Sequence, residues 1–382
     1  MNTKLSAPFI AALGLLLITL AVNVSMPLFR VYTAAANLNN GQTSLVLAAY
    51  VVGMIPCYVF LGGLSDRVGR KPVLIASVLV SFLATVIITI SPTATALVFA
   101  RFFQGIGVGI GMGAGTAYIS ELLPGNNTST RAAGLASLST AIGFGGGALA
   151  TSISLLINFT TSPITYVVLL VITVLGLMLI FWLPNIPPIG GKLIRLPYFP
   201  HGSLPVNVAI GICWAATGVV IAIIPTQLAK FELGAHSGFC LTLINWSGAL
   251  VQPWIRSWDP LRSVRVGVFL VPLGFALVIV GCYAGFLPVL FLGTSIIGLS
   301  AYGYSYLGGL ALIAMLGGQQ KARAVSGYMF FGYLGFGIPA IFLGYLSDHF
   351  GIVNALMVFE AVIIALSMWL SIRFCRTKTN VA

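Results

Sequence analysis

Apolar residues run in long blocks along this chain, separated by short clusters of Gly, Pro, Asn and charged residues. The blocks predict helices near 8–29, 43–64, 72–91, 94–122, 132–157, 163–183, 204–229, 236–255, 264–284, 286–317, 324–346 and 352–373. Each is about 20 residues or longer, the length a helix rising 1.5 Å per residue needs to cross roughly 30 Å of hydrocarbon. Most connections are too short to fold alone. One is longer: residues 185–203 are rich in Pro and Gly, carry Lys192, Arg195 and His201, and divide the chain nearly in half. The pattern predicts an all-α integral membrane protein of twelve transmembrane helices. Its two six-helix bundles are 1–184 and 204–382, with 185–203 as a cytoplasmic linker.

Composition removes the soluble alternative. Of the 382 residues 59% are hydrophobic and only 6% are charged, whereas soluble domains carry about 25% charged residues. The formal net charge of +12 raises a nucleic-acid partner, but the distribution argues for topology instead. With the N-terminus in the cytoplasm, all Lys and Arg except Arg30, Lys230 and the in-span Arg101 fall on the cytoplasmic side. That asymmetry is the positive-inside bias and puts both termini inside. The lipid bilayer is therefore the expected partner, with no nucleic acid. The first apolar run continues to Pro27 without a small-residue cleavage motif, so no cleaved signal peptide is expected. Five cysteines are scattered without pairing or metal-type spacing and read as small hydrophobes. No His/Cys cluster and no Walker sequence is present. No cofactor or metal is expected, and uphill transport would draw on a gradient, that of protons foremost.

The halves show a repeat. Arg131-Ala-Ala-Gly leads after twelve residues to Gly143-Phe-Gly, and Arg323-Ala-Val-Ser leads after twelve to Gly335-Phe-Gly, an offset of 192 residues. Two pseudo-symmetric bundles of this kind are a known transporter plan. A shorter echo links Gly62-Gly-Leu-Ser-Asp66-Arg-Val-Gly69 to Gly344-Tyr-Leu-Ser-Asp348-His-Phe-Gly351, on opposite membrane sides, as an inverted three-helix unit requires.

The segment Gly62 to Leu74 reads G-G-L-S-D-R-V-G-R-K-P-V-L. Glycines such as Gly62 and Gly69 permit close helix approach and a tight turn. Asp66 can accept hydrogen bonds there, and Arg67, Arg70 and Lys71 can meet the anionic leaflet and carboxylates. This closely resembles the signature loop of the major facilitator superfamily. Arg101-Phe-Phe-Gln104-Gly105 is similar to that family's membrane-embedded arginine motif, and Tyr118 to Pro124, with Glu121, to its glutamate turn. The resemblance implies alternating access, with Asp66, Arg70, Glu121 and Arg131 as a charge network locking the cytoplasmic side. Gly134, Gly143 and Gly147 match the antiporter signature, but Ala148, Thr151 and Ser152 depart from it. Six alternate glycines from Gly105 to Gly115 split at 100° per residue into two nearly opposite helix faces, both able to approach neighbours closely.

Ionisable groups at membrane depth cost at least about 2.5 kcal/mol each, which makes them functional candidates. Arg101 lies nine residues past Pro92, and Glu360 nine residues past Gly351. Arg101 can bind an anionic group, or it can satisfy backbone carbonyls between helices. Glu360 can carry a proton or partner a polar neighbour. Thr19, Asn23 and Arg30 fall on one stripe of the first helix. Asn207, Gly211 and Trp214 share the seventh, Asn245 and Trp246 the eighth, and Tyr302 and Tyr306 the tenth. Amides beside aromatics suit a small-molecule site. No carboxylate stands in the first helix for a cationic drug, which tilts the reading to neutral or anionic organic solutes.

The reading is a proton-coupled secondary transporter, exporting a drug or metabolite from a bacterial cytoplasmic membrane and acting as a monomer. A sugar or organic-acid uptake symporter is the alternative. A carrier-like sensor would be expected to add a soluble output segment, and an enzyme would need a catalytic constellation; neither is seen.

Overall fold

Alternate glycines and polar groups let helices of this chain approach at backbone distance, and the computed structural model shows where they do so. It describes residues 3–379, with side chains from Ser6 to Cys375. The side chains of Lys4, Arg376 and Lys378, counted above among the basic flanks, lie outside those described. The helices are α1 (Thr3–Asn23), α2 (Phe29–Ala35), α3 (Asn40–Phe60), α4 (Leu64–Val68), α5 (Arg70–Ile90), α6 (Ala94–Leu122), α7 (Thr128–Ile157) and α8 (Ile164–Phe181). They continue as α9 (Leu204–Ala229), α10 (Ser237–Ile255), α11 (Pro260–Ala284), α12 (Leu287–Gly298), α13 (Ser305–Gly317), α14 (Lys321–Phe350) and α15 (Ile352–Thr379). Among the described residues, ten helical stretches are long and apolar enough to cross a membrane. The predicted twelve agrees with these if the 64-residue stretch Leu287–Phe350 holds two spans and the more polar α10 is added.

Several boundaries differ from the sequence expectation for identifiable reasons. The first span, expected at 8–29, stops at Asn23, turns through a 3₁₀ segment Met26–Leu28 and resumes as α2. Pro27 has no N–H for the Asn23 carbonyl, and its ring occupies the space where that carbonyl would lie. The stripe of Thr19, Asn23 and Arg30 is thereby interrupted before Arg30. The span expected at 43–64 ends at Phe60, and the residues after Gly63 form the separate α4. The span expected at 286–317 contains a π-helical segment, Leu299–Tyr304, between α12 and α13. The span expected from 264 starts at Pro260, because Asp259 accepts from the Arg262 amide at 2.8 Å and proline suits the first helical turn.

The chain forms two compact units. Among the described residues, unit 1 comprises those up to Ala36 with Ala49–Leu196, and unit 2 comprises Asn37–Ala48 with those from Pro197 onward. In unit 1, α6 meets neighbours on both glycine faces: a Cβ on Gly105 would lie 2.0 Å from the Tyr50 carbonyl, and one on Gly107 2.5 Å from Ser81 Oγ. The repeat is legible inside each unit separately. A Cβ on Gly143 would strike Thr19 Oγ1 of α1, and a Cβ on Gly335 would strike the Gly211 carbonyl of α9. Gly143 and Gly335 share the 192-residue offset, and so do Thr19 and Gly211.

Candidate functional site

The break at Pro27 creates a need that α6 fills. A helix end leaves its last carbonyls without intrahelical donors, and the end of α1 lies inside unit 1. Arg101 Nη1 donates to the Val22 carbonyl at 2.8 Å and to Gln104 Oε1 at 3.0 Å, while Gln104 Nε2 donates to the Ala21 carbonyl at 2.7 Å. A cation at a helix C-terminus also meets the negative end of its dipole. The Arg101 guanidinium stands 4.9 Å from the Tyr50 ring centroid. Arg101 is only 1% exposed, yet its Nε has no hydrogen-bond partner. None of the ion pairs among the described residues involves it. Neutral acceptors and an aromatic face therefore hold a buried cation. Asn23 Nδ2 ties the same end of α1 to the Phe144 carbonyl of α7 at 2.8 Å. Arg30 lies half-buried in α2, past the break.

In unit 2 the aromatic residues converge. The Trp214 ring of α9 lies 5.6 Å from Tyr302, 6.4 Å from Tyr306 and 4.7 Å, edge to face, from Tyr333 of α14. Trp214 Nε1 donates to the Ala301 carbonyl at 3.4 Å. Tyr302 belongs to the π-helical segment, a distortion frequent at functional sites. The other amides serve local structure. Asn207, in the first turn of α9, donates to Ser203 Oγ at 3.3 Å, and its buried Oδ1 has no partner. Asn245 Nδ2 returns to the Leu241 carbonyl of its own helix at 2.8 Å, and Trp246 beside it is 37% exposed. Glu360 is half-buried in α15, with Oε2 buried and unpartnered.

The signature loop forms a cluster different from the one expected. Asp66 Oδ1 pairs with Arg70, whose Nε lies 3.0 Å from Glu121 Oε1. Arg131 is not the fourth member: its Nη1 donates to the Pro124 carbonyl at 2.9 Å, closing the turn that precedes its own helix. Arg195 takes that place, 2.5 Å from Asp66 Oδ2. The chain from Pro184 to Leu193 lies along the loop. Gly190 N donates to the Asp66 carbonyl at 2.8 Å and Gly63 N to the Leu193 carbonyl at 3.0 Å. Lys71 Nζ caps the Phe181 and Leu183 carbonyls at 2.8 and 2.7 Å. A Cβ on Gly63 would lie 2.0 Å from the Lys192 carbonyl, so only glycine admits the strap. Gly62 and Arg67 are exposed, and Gly69 ends α4 at φ 108°. The echo motif carries its own contact in unit 2. Asp348 accepts from the Asn40 and Gly41 amides, one per carboxylate oxygen, both at 2.9 Å, and so caps α3.

Reading the sequence alone missed Arg195, Tyr333 and the partner of Asp348. Arg195 sits in a segment with no periodicity, Tyr333 on a helix chosen for its glycines, and backbone amides leave no side-chain signature. The Asp348 motif itself had been visible as the echo.

Ten long apolar helical stretches among the described residues, with polar groups buried between helices, mark a multi-pass membrane protein. The chain is similar to the major facilitator superfamily: residues 11–197, just under half of it, match the family model described as Major Facilitator Superfamily. It is 26% identical over 321 residues to an "Uncharacterized transporter" of Buchnera aphidicola subsp. Schizaphis graminum (strain Sg), covering 80% of this chain and 76% of the relative. A shorter match, 36% identical over 74 residues and 19% of each chain, is to "Multidrug resistance protein MdtL" of Escherichia coli (strain SE11). The fold is that of a variant of the nucleoside transporter NupG, with TM-score 0.77 at 12% identity over 97% of this chain and 99% of that one. It is also that of the human organic anion transporter MFSD10 (TETRAN), with TM-score 0.68 at 15% identity over 97% and 100%.

Proposed function

We propose that the chain is a secondary active transporter that exports a small neutral or anionic organic solute, a drug or metabolite, by alternating access. The observation that carries this reading is Arg101, a fully buried cation paired with no carboxylate. Such a group repels cationic solutes and attracts negative or electron-rich ones in a low-dielectric interior. The aromatic group around Trp214 supports apolar bulk in the solute. The partial similarity to a multidrug resistance protein supports export over uptake. Proton coupling is assigned to Glu360, and the Asp66–Arg70–Glu121 cluster, with Arg195, to the cytoplasmic gate. The distribution of Lys and Arg supports both termini in the cytoplasm of a bacterial inner membrane. The carrier works as a monomer and needs no cofactor beyond the proton gradient.

Proteoliposomes with an imposed pH gradient test the proposal against a panel of organic anions, neutral solutes and cations. Movement of anionic or neutral solutes against the proton flow, abolished when the gradient is collapsed, is expected. Transport of cations alone, uptake in the direction of proton flow, or binding without flux each overturns it.

A further inference from the structure

Unit 2 carries a groove between α11 and α15 that the transport reading leaves unused. It encloses about 430 Å³ and is walled by Val268, Phe269 and Pro272 on one side and Ile364 and Met368 on the other. Phe269 and Met368 are more than half exposed. Both helices are long and apolar enough to cross a membrane, where an exposed apolar groove would meet lipid. Pro272 lies inside α11, where it withholds the N–H that the Val268 carbonyl would take.

The groove is graded in polarity. Ser367 and Ser371 line it as well. Ser371 Oγ donates to the Ser367 carbonyl at 2.8 Å, but Ser367 Oγ, on a residue 7% exposed, has no hydrogen-bond partner. A hydroxyl left unpaired among apolar side chains is a donor awaiting an acceptor. Beyond the serines stand two guanidinium groups. Arg373 is exposed, 5.7 Å from the Trp369 ring centroid. Arg265, one turn before Phe269, donates through Nη2 to the Phe374 carbonyl, and its buried Nε has no partner. The acidic residue of α15, Glu360, is thirteen residues from Arg373, about 20 Å along the helix. Both serines thus lie toward the guanidinium end, with Ile372 beside Ser371, while the Pro272–Ile364 end is hydrocarbon alone, which follows phosphate, glycerol ester and acyl chain in a phospholipid. Basic pockets between spans recognise anionic headgroups in this way.

We propose that this groove is a binding site for an anionic phospholipid, with its phosphate at Arg265 and Arg373, an ester oxygen at Ser367, and an acyl chain against Val268, Pro272 and Ile364. The site is independent of which solute the carrier moves. Native mass spectrometry of the full chain, released from micelles doped with phosphatidylglycerol or phosphatidylcholine, tests it. Phosphatidylglycerol is expected to be retained preferentially. Arg373→Gln is expected to reduce that retention roughly fivefold, the loss of one basic contact at a membrane surface. Ser367→Leu, which fills the groove, is expected to release the lipid; should that variant not fold, the exposed Arg373→Gln still decides. Equal retention of the two lipids by the unaltered chain, or unchanged phosphatidylglycerol retention in Arg373→Gln, overturns the proposal.

Discussion

Arg195 places a guanidinium nitrogen 2.5 Å from Asp66 Oδ2, the carboxylate oxygen that Arg70 does not take. Two arginines from different parts of unit 1 thus share one aspartate, and the second belongs to the strap that follows α8. Three backbone features hold that strap in the same place: the Gly190 and Gly63 amides and the glycine-only approach at Gly63. The ion pair is partly exposed, so its own contribution is about 1 kcal/mol or less. A double-mutant cycle of Asp66→Asn and Arg195→Gln, read by thermal unfolding in detergent, should give a coupling of that size. Arg131→Gln combined with Asp66→Asn should show none, because Arg131 bonds the Pro124 carbonyl instead.

The loop motif and its echo share one backbone solution. Gly69 N donates to the Ser65 carbonyl at 3.1 Å and Gly351 N to the Ser347 carbonyl at 3.0 Å. The two glycines adopt nearly the same conformation, φ 108° and ψ 153° at Gly69, φ 81° and ψ 154° at Gly351. That region is almost closed to other residues, at a cost of about 1–3 kcal/mol each. Gly69→Ala and Gly351→Ala should each lower the melting temperature accordingly. A Cβ on Gly351 would touch nothing, so its loss would be conformational alone. Gly113→Ala is the control. It lies within α6 with open space at its Cβ, and should stabilise by roughly 0.5–1 kcal/mol.

Asp348 gives the echo a task different from that of Asp66. Its two oxygens receive two backbone amides at the start of α3, where a negative charge also meets the positive helix end. Asp348→Ala should cost about 1 kcal/mol, in the range of lost N-caps. Faster amide hydrogen exchange confined to the first turn of α3 should accompany it. Protection unchanged at Asn40 and Gly41 would count against the cap.

How far the chain could be read depended on whether a feature repeats. Spans with steady apolar content, such as 94–122 and 204–229, matched to the residue because Thr93 and Pro205 mark their starts. The first and tenth spans misled, since one proline and one π-helical segment change the backbone without changing hydropathy. Asp66, Arg70 and Glu121 were brought together as the family resemblance implied, because salt-bridging side chains declare themselves by type. Arg195 took the place expected of Arg131 for the opposite reason. The local turn at Pro124 was nearer to one, and nothing in a loop's sequence announces where it lies.

Arg101 has two attachments and one open atom, and its substitution separates them. Arg101→Gln removes the cation and leaves the Val22 carbonyl without its donor, a change worth about 1.5–3 kcal/mol for a charged hydrogen bond. Transport should fall roughly tenfold or more. Arg101→Lys keeps the charge but moves the donor from the Nη1 position, from which one nitrogen serves both Val22 and Gln104. If the charge itself recruits solute, the lysine variant should retain more flux than glutamine at equal unfolding temperature. Equal losses in both would make Arg101 a tie for the end of α1 and nothing more.

Glu360 offers the sharpest test of coupling. Its Oε2 is buried without a hydrogen bond, and none of the ion pairs among the described residues includes it. The helices packed on α15 are α11, α14 and α9. Their charged residues, Arg262, Arg265, Lys321, Arg323, Asp348 and His349, lie in the first turns or the last turn of α11 and α14, and α9 carries none. A carboxylate so placed exchanges its proton without breaking a salt bridge, as a carrier that loads and unloads must. Glu360→Gln preserves shape and removes the exchange. In proteoliposomes that variant should keep solute exchange at equal pH on both sides while losing the response to an imposed pH gradient. Gradient-driven flux matching the unaltered carrier would move the proton site elsewhere and leave Glu360 as scaffold.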